Sequence, residues 1–210
     1  FGRSFKNLEN KESPAWMKNR LLAVDQRPIS SIVDITNYIM IDLGRPLHAY
    51  DIDKIEGSHL TIKKSKTGDK FHALNGKVYE LDNDMLVISD KHGVDDLAGI
   101  MGGERTGVKE TTTDMFLEAA IFDPISIAQT GRKLNINSDA RYRFERGLDY
   151  ESPELVMNYA ASIVEKICGG KISKVVAIQK DHKIKKIIFN PKIILKLSGV
   201  VIQDKAAEVI

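Results

Sequence analysis

The spacing of apolar residues changes after Gly44, and this change limits the fold class. In "SSIVDITNYIMIDLG", Ile32, Ile35 and Ile39 recur at the spacing of one helix face, and Gly44 follows as a C-cap. After this point "HLTIKKS" alternates, and Asn75-Gly76 in "DKFHALNGKVYEL" is a strong hairpin signal. Helices and hairpins without a βαβ rhythm predict an α+β fold, with a mixed, largely antiparallel sheet core and flanking helices.

Further helices and strands are predicted along the chain. "SPAWMKNRLLAV" begins with Ser13 as N-cap and Pro14 at N1. Asp123-Pro124 opens a helix to about Leu134, and Ser152-Pro153 opens one that ends at Gly169-Gly170. Three stretches predict further strands: "DMLVISD", "DMFLEAAIF" and "KISKVVAIQ".

The sequence pattern predicts that the chain is divided into four segments. Residues 1–12 are polar and aperiodic and are interpreted as a linker from a preceding domain, and residues 13–180 form the main domain. The basic stretch "KDHKIKK" predicts a second linker over residues 181–186. Residues 187–210, with a short strand and a helix opened by Asn190-Pro191, are too short to bury a core alone. We therefore expect an internal piece of a longer polypeptide that includes a truncated second domain.

Composition excludes several classes of protein. The 210 residues are 42% hydrophobic and 29% charged, as in an ordinary globular protein. The net charge of +2 gives no global attraction to a polyanion. A single cysteine, Cys168, allows no internal disulfide, fits a reducing compartment and is interpreted as a small apolar filler. No apolar run approaches the roughly 20 residues that span a bilayer, so no membrane partner is expected.

The usual catalytic motifs are missing from the sequence. There is no G-x-S-x-G elbow, Walker A loop, paired C-x-x-C or H-E-x-x-H. "HAYDID" offers His48, Asp51 and Asp53 as a notional metal cluster, but acidic residues beside a turn are more often caps. The other histidines lie on polar stretches and are most simply solvated.

Two stretches are less ordinary. "FLEAAIF" places Glu118 inside an apolar strand, where it either needs a partner or faces solvent on the alternate side of the pleat. "GIMGGE" sets Gly102 and Gly103 among apolar residues. Such glycines mark either a tight turn or the close approach of a ligand or another backbone.

"SDARYRFERG" combines Arg141, Arg143 and Arg146 with two aromatic residues. Basic and aromatic side chains together are typical of nucleic-acid surfaces. Glu145 and nearby aspartates favour a second interpretation, in which ion pairs fix the segment. We favour the ion pairs for most of the arginines and leave RNA contact open for Arg141.

Taken together, four separated motifs resemble one family. "SPAWMKNRLLAVDQRPISSIVDITNYIMIDLGRPLHAYD", "LAGIMGGERTGV", "FLEAAIFDP" and "NSDARYRFERGLD" are similar, in order and spacing, to the B3/B4 domain of bacterial phenylalanine–tRNA ligase β subunits. "FNPKIILKLSGV" resembles the opening of the B5 domain that follows in that family. The resemblance implies a proofreading site that hydrolyses tyrosine mistakenly attached to phenylalanine tRNA.

The resemblance also implies the residues of this site. They come from all four motifs: Thr36, Asn37, His48, Gly102, Glu118, Ser138 and Ala140. Glu118 matches the glutamate that reads the tyrosine hydroxyl, and His48 matches a pocket histidine. An imidazole with a pKa near neutrality could orient water or act as a base, and the resemblance does not decide between these roles. Thr36 and Asn37 match polar wall residues.

The remaining matched residues are small and leave room for the substrate in the pocket. Gly102 matches a glycine whose backbone meets the aminoacyl ring, and Ser138 and Ala140 match small residues that leave room for substrate. The family commonly has Thr where this chain has Ser138. The hydroxyl is kept and a methyl is lost, which predicts a slightly looser pocket.

The family further implies partners and compartment. These are phenylalanine tRNA and an α subunit in an α2β2 enzyme in the cytoplasm. ATP and Mg²⁺ would serve the whole enzyme, and no cofactor or metal is expected in this segment. Two other hypotheses stay open: a non-catalytic module that positions tRNA or holds the α subunit, and a free-standing editing protein.

Overall fold

A computed structural model describes residues 1–179, 190 and 192–202. The chain divides into two compact units, Phe1–Gln179 and Lys180–Ile210. In the first unit the helices are α1 (Ala15–Leu22), α2 (Ser31–Asp42), α3 (Pro124–Lys133), α4 (Asp139–Phe144) and α5 (Ser152–Cys168). Its strands are β1 (Gly2–Lys6), β2 (His48–Asp51), β3 (Thr61–Lys64), β4 (Lys70–His72), β5 (Val78–Glu80), β6 (Leu86–Ser89), β7 (Val94–Leu97), β8 (Met115–Glu118) and β9 (Lys171–Ile172).

The central sheet has the order β2-β8-β1-β9 within the described residues, and its neighbours pair antiparallel. Alternation along β8 sends Met115 and Leu117 to a core formed with α2 and α5. Phe116 and Glu118 therefore lie on the opposite face. The predicted α+β class is confirmed.

The prediction of a linker over residues 1–12 is wrong for Gly2–Lys6. These residues form β1, which lies between β8 and β9 in the central sheet. Phe5 is fully buried in the core, whereas Arg3 and Ser4 face partly outward. A strand with few apolar residues is stabilised by pairing with distant segments, and a local pattern does not contain that information.

The second core lies on the other side of the unit. It is covered by the strands β3, β6 and β7 and by the hairpin β4–β5, which turns at Gly76 with φ of 75°. Phe71, Val87 and Leu97 from these strands pack with Ile127 of α3 and Phe144 of α4.

The predicted N-cap of α1 is wrong. Pro14 occupies the cap position without a side-chain hydrogen bond, and α1 begins at Ala15. The Ser13 hydroxyl instead donates to Asp34 of α2 at 2.6 Å, and both side chains are buried. A buried carboxylate needs donors, and this need outweighs the local cap.

Several local predictions are confirmed. Asp123 caps α3 by accepting from the Ser126 amide at 2.8 Å, and Cys168 is buried at the end of α5. In the second unit α6 spans Lys192–Ser198, and Asn190 accepts from the Lys192 amide at 3.0 Å. The predicted strand before α6 and the predicted linker 181–186 lie outside the described residues, and the four-segment division otherwise stays a prediction.

Arg45 connects strand β8 to helix α5. It follows α2 directly before β2, and only 1% of it is exposed. Its guanidinium donates to the Ala120 carbonyl at 2.8 Å, to Ser152 Oγ at 2.6 Å and to the Asp149 carbonyl. These bonds hold the end of β8 and the start of α5 together.

Arg45→Met should lower the free energy of unfolding by about 3 kcal/mol, because the hydrogen bonds of a buried guanidinium to three acceptors are lost. Chemical denaturation measures the effect. Arg27→Met, at an exposed position, is the control and should stay within about 0.5 kcal/mol of the parent. Equal stability of both variants would contradict the assigned role of Arg45.

Candidate functional site

His48 on β2 and Glu118 on β8 lie directly opposite each other on neighbouring strands of the central sheet. In the antiparallel pairing of β2 with β8, His48 faces Glu118 and Tyr50 faces Phe116. Residues two apart on a strand point to the same side, so all four side chains share the face away from the α2/α5 core. Two predicted site residues that are far apart in the sequence are therefore adjacent.

Glu118 has a protein partner. The Tyr50 hydroxyl donates to Glu118 Oε2 at 3.0 Å, and Tyr50 is fully buried. Burial raises the pKa of the Glu118 carboxyl to about 7, while the nearby His48 opposes this rise. Glu118 is thus not the solvated surface carboxylate that one interpretation of the sequence allowed.

Gly102 lies against the His48 ring. A Cβ atom added at Gly102 would lie 2.3 Å from His48 Cε1, so any side chain would displace the imidazole. The Gly102 carbonyl accepts from the Leu74 amide at 3.0 Å, which fixes this backbone. At Gly102 the close neighbour is a side chain, which neither interpretation of "GIMGGE" named. The approach of another backbone is confirmed at Gly103, where an added Cβ would clash with the Asp95 carbonyl.

Asp96 of β7 completes the cluster and was missed in the sequence. Its Oδ1 accepts from the Gly103 amide at 2.8 Å and lies 3.4 Å from His48 Nε2. Burial acts to lower the pKa of His48, but Asp96, with Glu118 and Asp95, outweighs it, so the net shift is upward. The available signal was a pair of aspartates followed by "LAGIMGG" in an otherwise apolar stretch.

Ser138 and Ala140 lie at the start of α4. The Ser138 hydroxyl donates to the Ile100 carbonyl at 2.6 Å and accepts from the Arg141 amide at 3.0 Å. Ser138 is thus the N-cap of α4 and ties it to the turn before Gly102. Ala140 is half-buried beside the second core.

Thr36 and Asn37 are half-buried on α2. The Thr36 hydroxyl donates to the Val33 carbonyl of its own helix at 2.8 Å. In the described part of the chain, neither residue is a hydrogen-bond partner of His48 or Glu118. Their place in the site stays a prediction.

The arginines of α4, and Arg146 just after it, form the predicted ion pairs. Arg141 pairs with Glu145 at 3.0 Å, and Arg143 pairs with Asp139 at 3.3 Å. Arg146 pairs with Glu145 at 2.9 Å and stacks on the Tyr142 ring at 3.7 Å. RNA contact by these arginines stays untested.

The notional metal cluster has another explanation. Asp51 caps a 3₁₀ turn by accepting from the Asp53 amide at 3.2 Å, and it accepts from Thr112 at 2.8 Å. Over residues 1–179, 190 and 192–202, no group of three or more metal-ligating side chains is placed to hold an ion. In the same residues no helix is long and apolar enough to cross a membrane.

A cavity of about 650 Å³ opens beside Gly103. Its lining is mainly basic: Lys54, Lys70, His72, His92, Arg105 and Lys109. It also includes Asp95, which is joined to Arg105 by an ion pair. The seven predicted site residues do not line this cavity.

Comparison with known proteins identifies the protein family. A family model described as the B3/4 domain matches residues 1–169, and the chain belongs to this family. The chain is 45% identical over 203 residues to the phenylalanine–tRNA ligase β subunit of Rhodospirillum rubrum, covering 96% of this chain and 25% of that protein. It is 52% identical over 169 residues to the β subunit of Bartonella henselae, covering 80% and 21%.

The chain therefore spans about a quarter of the length of these curated relatives. A solved N-terminal fragment of the phenylalanyl-tRNA synthetase β subunit from Pyrococcus horikoshii matches with a TM-score of 0.53 and 17% identity. The match covers 99% of this chain and 58% of that one, and it shows the shared fold. The resemblance drawn from the four motifs is confirmed.

The raised pKa of Glu118 predicts a pH-dependent stability. The folded state holds the proton more tightly, because the pKa rises from 4.5 to about 7. The resulting stabilisation is present below pH 4.5 and is lost as the pH rises through 7. The side chain of Glu118→Gln does not ionise, so this variant does not lose stability as the pH rises. Its free energy of unfolding should exceed that of the parent by about 2–3 kcal/mol at about pH 8, but not at about pH 4.

Chemical denaturation at the two pH values measures this difference. Glu165→Gln, at an exposed position of α5, is the matched control and should follow the parent within about 0.5 kcal/mol. A constant offset between Glu118→Gln and the parent at both pH values would contradict a raised pKa.

Proposed function

We propose that this chain is the editing part of a phenylalanine–tRNA ligase β subunit and hydrolyses tyrosine from mischarged phenylalanine tRNA. The observation that carries the proposal is that Glu118 and His48 lie opposite each other on one sheet face, with the Glu118 side chain half-buried and its pKa raised to about 7. Membership of the B3/4 family and the names of the relatives support it.

The chemistry of Glu118 suits discrimination between tyrosine and phenylalanine. The two substrates differ by one hydroxyl. With phenylalanine bound, Glu118 would keep its Tyr50 hydrogen bond but gain no second donor. Sites of this kind can reject the analogue that lacks the hydroxyl by about 10⁴–10⁵. The family resemblance gives Gly102 the backbone that meets the aminoacyl ring, and in this structure Gly102 lies against the His48 ring.

Hydrolysis of an aminoacyl ester requires a positioned water and a polarised carbonyl, and the ester is already activated. No protein nucleophile is needed. The upward shift in the pKa of His48, to which Asp96 contributes most, favours the protonated imidazole. We therefore assign His48 to orienting the water or polarising the carbonyl, ahead of a role as general base.

The wider assignments belong to the whole enzyme. We propose phenylalanine tRNA and an α subunit as partners, in an α2β2 enzyme in the cytoplasm. ATP and Mg²⁺ would bind at the synthetic site elsewhere in that enzyme, while Thr36, Asn37, Ser138 and Ala140 would form the walls of the editing pocket.

Glu118→Ala in the enzyme that contains this chain should slow the hydrolysis of Tyr-tRNA by roughly 10- to 100-fold. A charged hydrogen bond to the substrate hydroxyl is lost, which costs about 1.5–3 kcal/mol. Release of labelled tyrosine from mischarged tRNA measures the rate, and Phe-tRNA measured in parallel gives the discrimination ratio.

Glu165→Ala, at an exposed position, is the matched control and should hydrolyse Tyr-tRNA like the parent. Equal rates for Glu118→Ala and the parent would remove Glu118 from the site. No hydrolysis by the parent itself would contradict the proposed function and would favour a non-catalytic module that positions tRNA.

Residues 1–210 alone should not catalyse pyrophosphate exchange with phenylalanine and ATP. Amino-acid activation requires cations and carboxylates that position triphosphate and magnesium. "GIMGGE" has glycines but lacks the Lys and Ser/Thr of a phosphate-binding loop. Exchange above a heat-killed control, in a preparation free of α subunit, would contradict this prediction.

A further inference from the structure

Tyr50 interacts with both carboxylates of the candidate site, Glu118 and Asp96. It is fully buried on β2, and its hydroxyl donates to Glu118 Oε2 at 3.0 Å. Its ring packs edge-on against the His48 ring, with centroids 4.5 Å apart. A tyrosine of the protein thus already binds the carboxylate that is proposed to read a tyrosine of the substrate.

The two oxygens of Glu118 have different surroundings. Oε2 accepts the Tyr50 hydroxyl, whereas no donor in the described part of the chain makes a hydrogen bond to Oε1. An ionised carboxylate can accept hydrogen bonds at both oxygens. One internal donor therefore restrains the carboxylate and leaves the second oxygen for an incoming hydroxyl.

We infer that Tyr50 is a positioning residue, which holds Glu118 through Oε2 so that Oε1 receives the hydroxyl of the substrate tyrosine. This inference rests on the proposed editing function. Tyr50 acts through Glu118 and does not itself contact the substrate hydroxyl. It contributes to specificity because the orientation of the carboxylate determines where a hydroxyl must lie.

The charges around Glu118 agree with this role. Burial and Asp96 oppose its ionised form, whereas His48 favours it. The Tyr50 hydrogen bond also favours ionisation. Burial and the two carboxylates raise the pKa of Tyr50 well above its usual range, so its hydroxyl stays protonated and remains a donor.

The test is Tyr50→Phe in the complete α2β2 enzyme, assayed with Tyr-tRNA and Phe-tRNA. Without its donor, Glu118 should ionise at higher pH and lose its fixed orientation. We expect kcat/KM for Tyr-tRNA to fall by about tenfold or more at neutral pH. The rising limb of the pH–rate profile, where the carboxylate forms, should move to higher pH.

Two further variants separate positioning from general damage. Tyr159→Phe on α5 removes another tyrosine hydroxyl, whose contact with Asp42 is long at 3.5 Å, and it should behave like the parent. Tyr50→Phe added to Glu118→Gln should cause little further loss, because a residue that acts through Glu118 has nothing left to position. Thermal unfolding of each variant checks that the fold is kept.

The outcomes are distinct. A parent-like rate and pH profile for Tyr50→Phe, in an enzyme that hydrolyses Tyr-tRNA, would overturn the inference and leave the proposed function intact. A faster Tyr50→Phe would also overturn it, since Tyr50 would then compete with the substrate. An equal additional loss in the Glu118→Gln background would overturn it too, because Tyr50 would then act independently of Glu118. No hydrolysis by the parent would remove both proposals.

Discussion

The antiparallel register of β2 against β8 is the constraint on which the candidate site depends. Side chains on a strand alternate between faces, so a slip of one residue would turn either His48 or Glu118, whichever strand moved, into the α2/α5 core. Ala49 or Leu117, which now fill that core, would then be exposed in its place. Arg45 opposes such a slip because it bonds the chain just beyond β8 to the start of α5. The apolar core and the polar site thus stabilise the same register from opposite faces of one sheet.

The polar face brings together the buried side chains of Tyr50 and Asp96 with the half-buried side chains of His48 and Glu118. Such a group is stable only if its members hydrogen-bond or neutralise one another. Asp96 meets this need by accepting from the Gly103 amide while lying near His48. Glu118 is left with a pKa of about 7 and one internal donor. A carboxylate in this state gains from an additional hydroxyl, which links the energetics of the fold to the proposed recognition of tyrosine.

Much of the fold and part of the site could be predicted from the sequence. Glu118 in an apolar strand and the glycines of "GIMGGE" carried local signals, and the structure places both beside His48. Ser138 was expected as a pocket wall, and the structure shows it as the N-cap of α4. Tyr50 and Asp96 were not singled out, because an aromatic residue and an aspartate are unremarkable until their neighbours are known. Strand β1 was missed because its residues carry no local strand pattern.

The sequence by itself determined the family, the α+β class and most of the helices, because these follow from motif order, short-range periodicity and capping. Tertiary structure alone decided which polar groups meet. Tyr50 and Glu118 are 68 residues apart, and their hydrogen bond exists only when β2 and β8 pair. The shift in the pKa of Glu118 likewise arises from burial and from charges on β2 and β7. Burial and long-range pairing are properties of the folded chain, and no local window of sequence contains them.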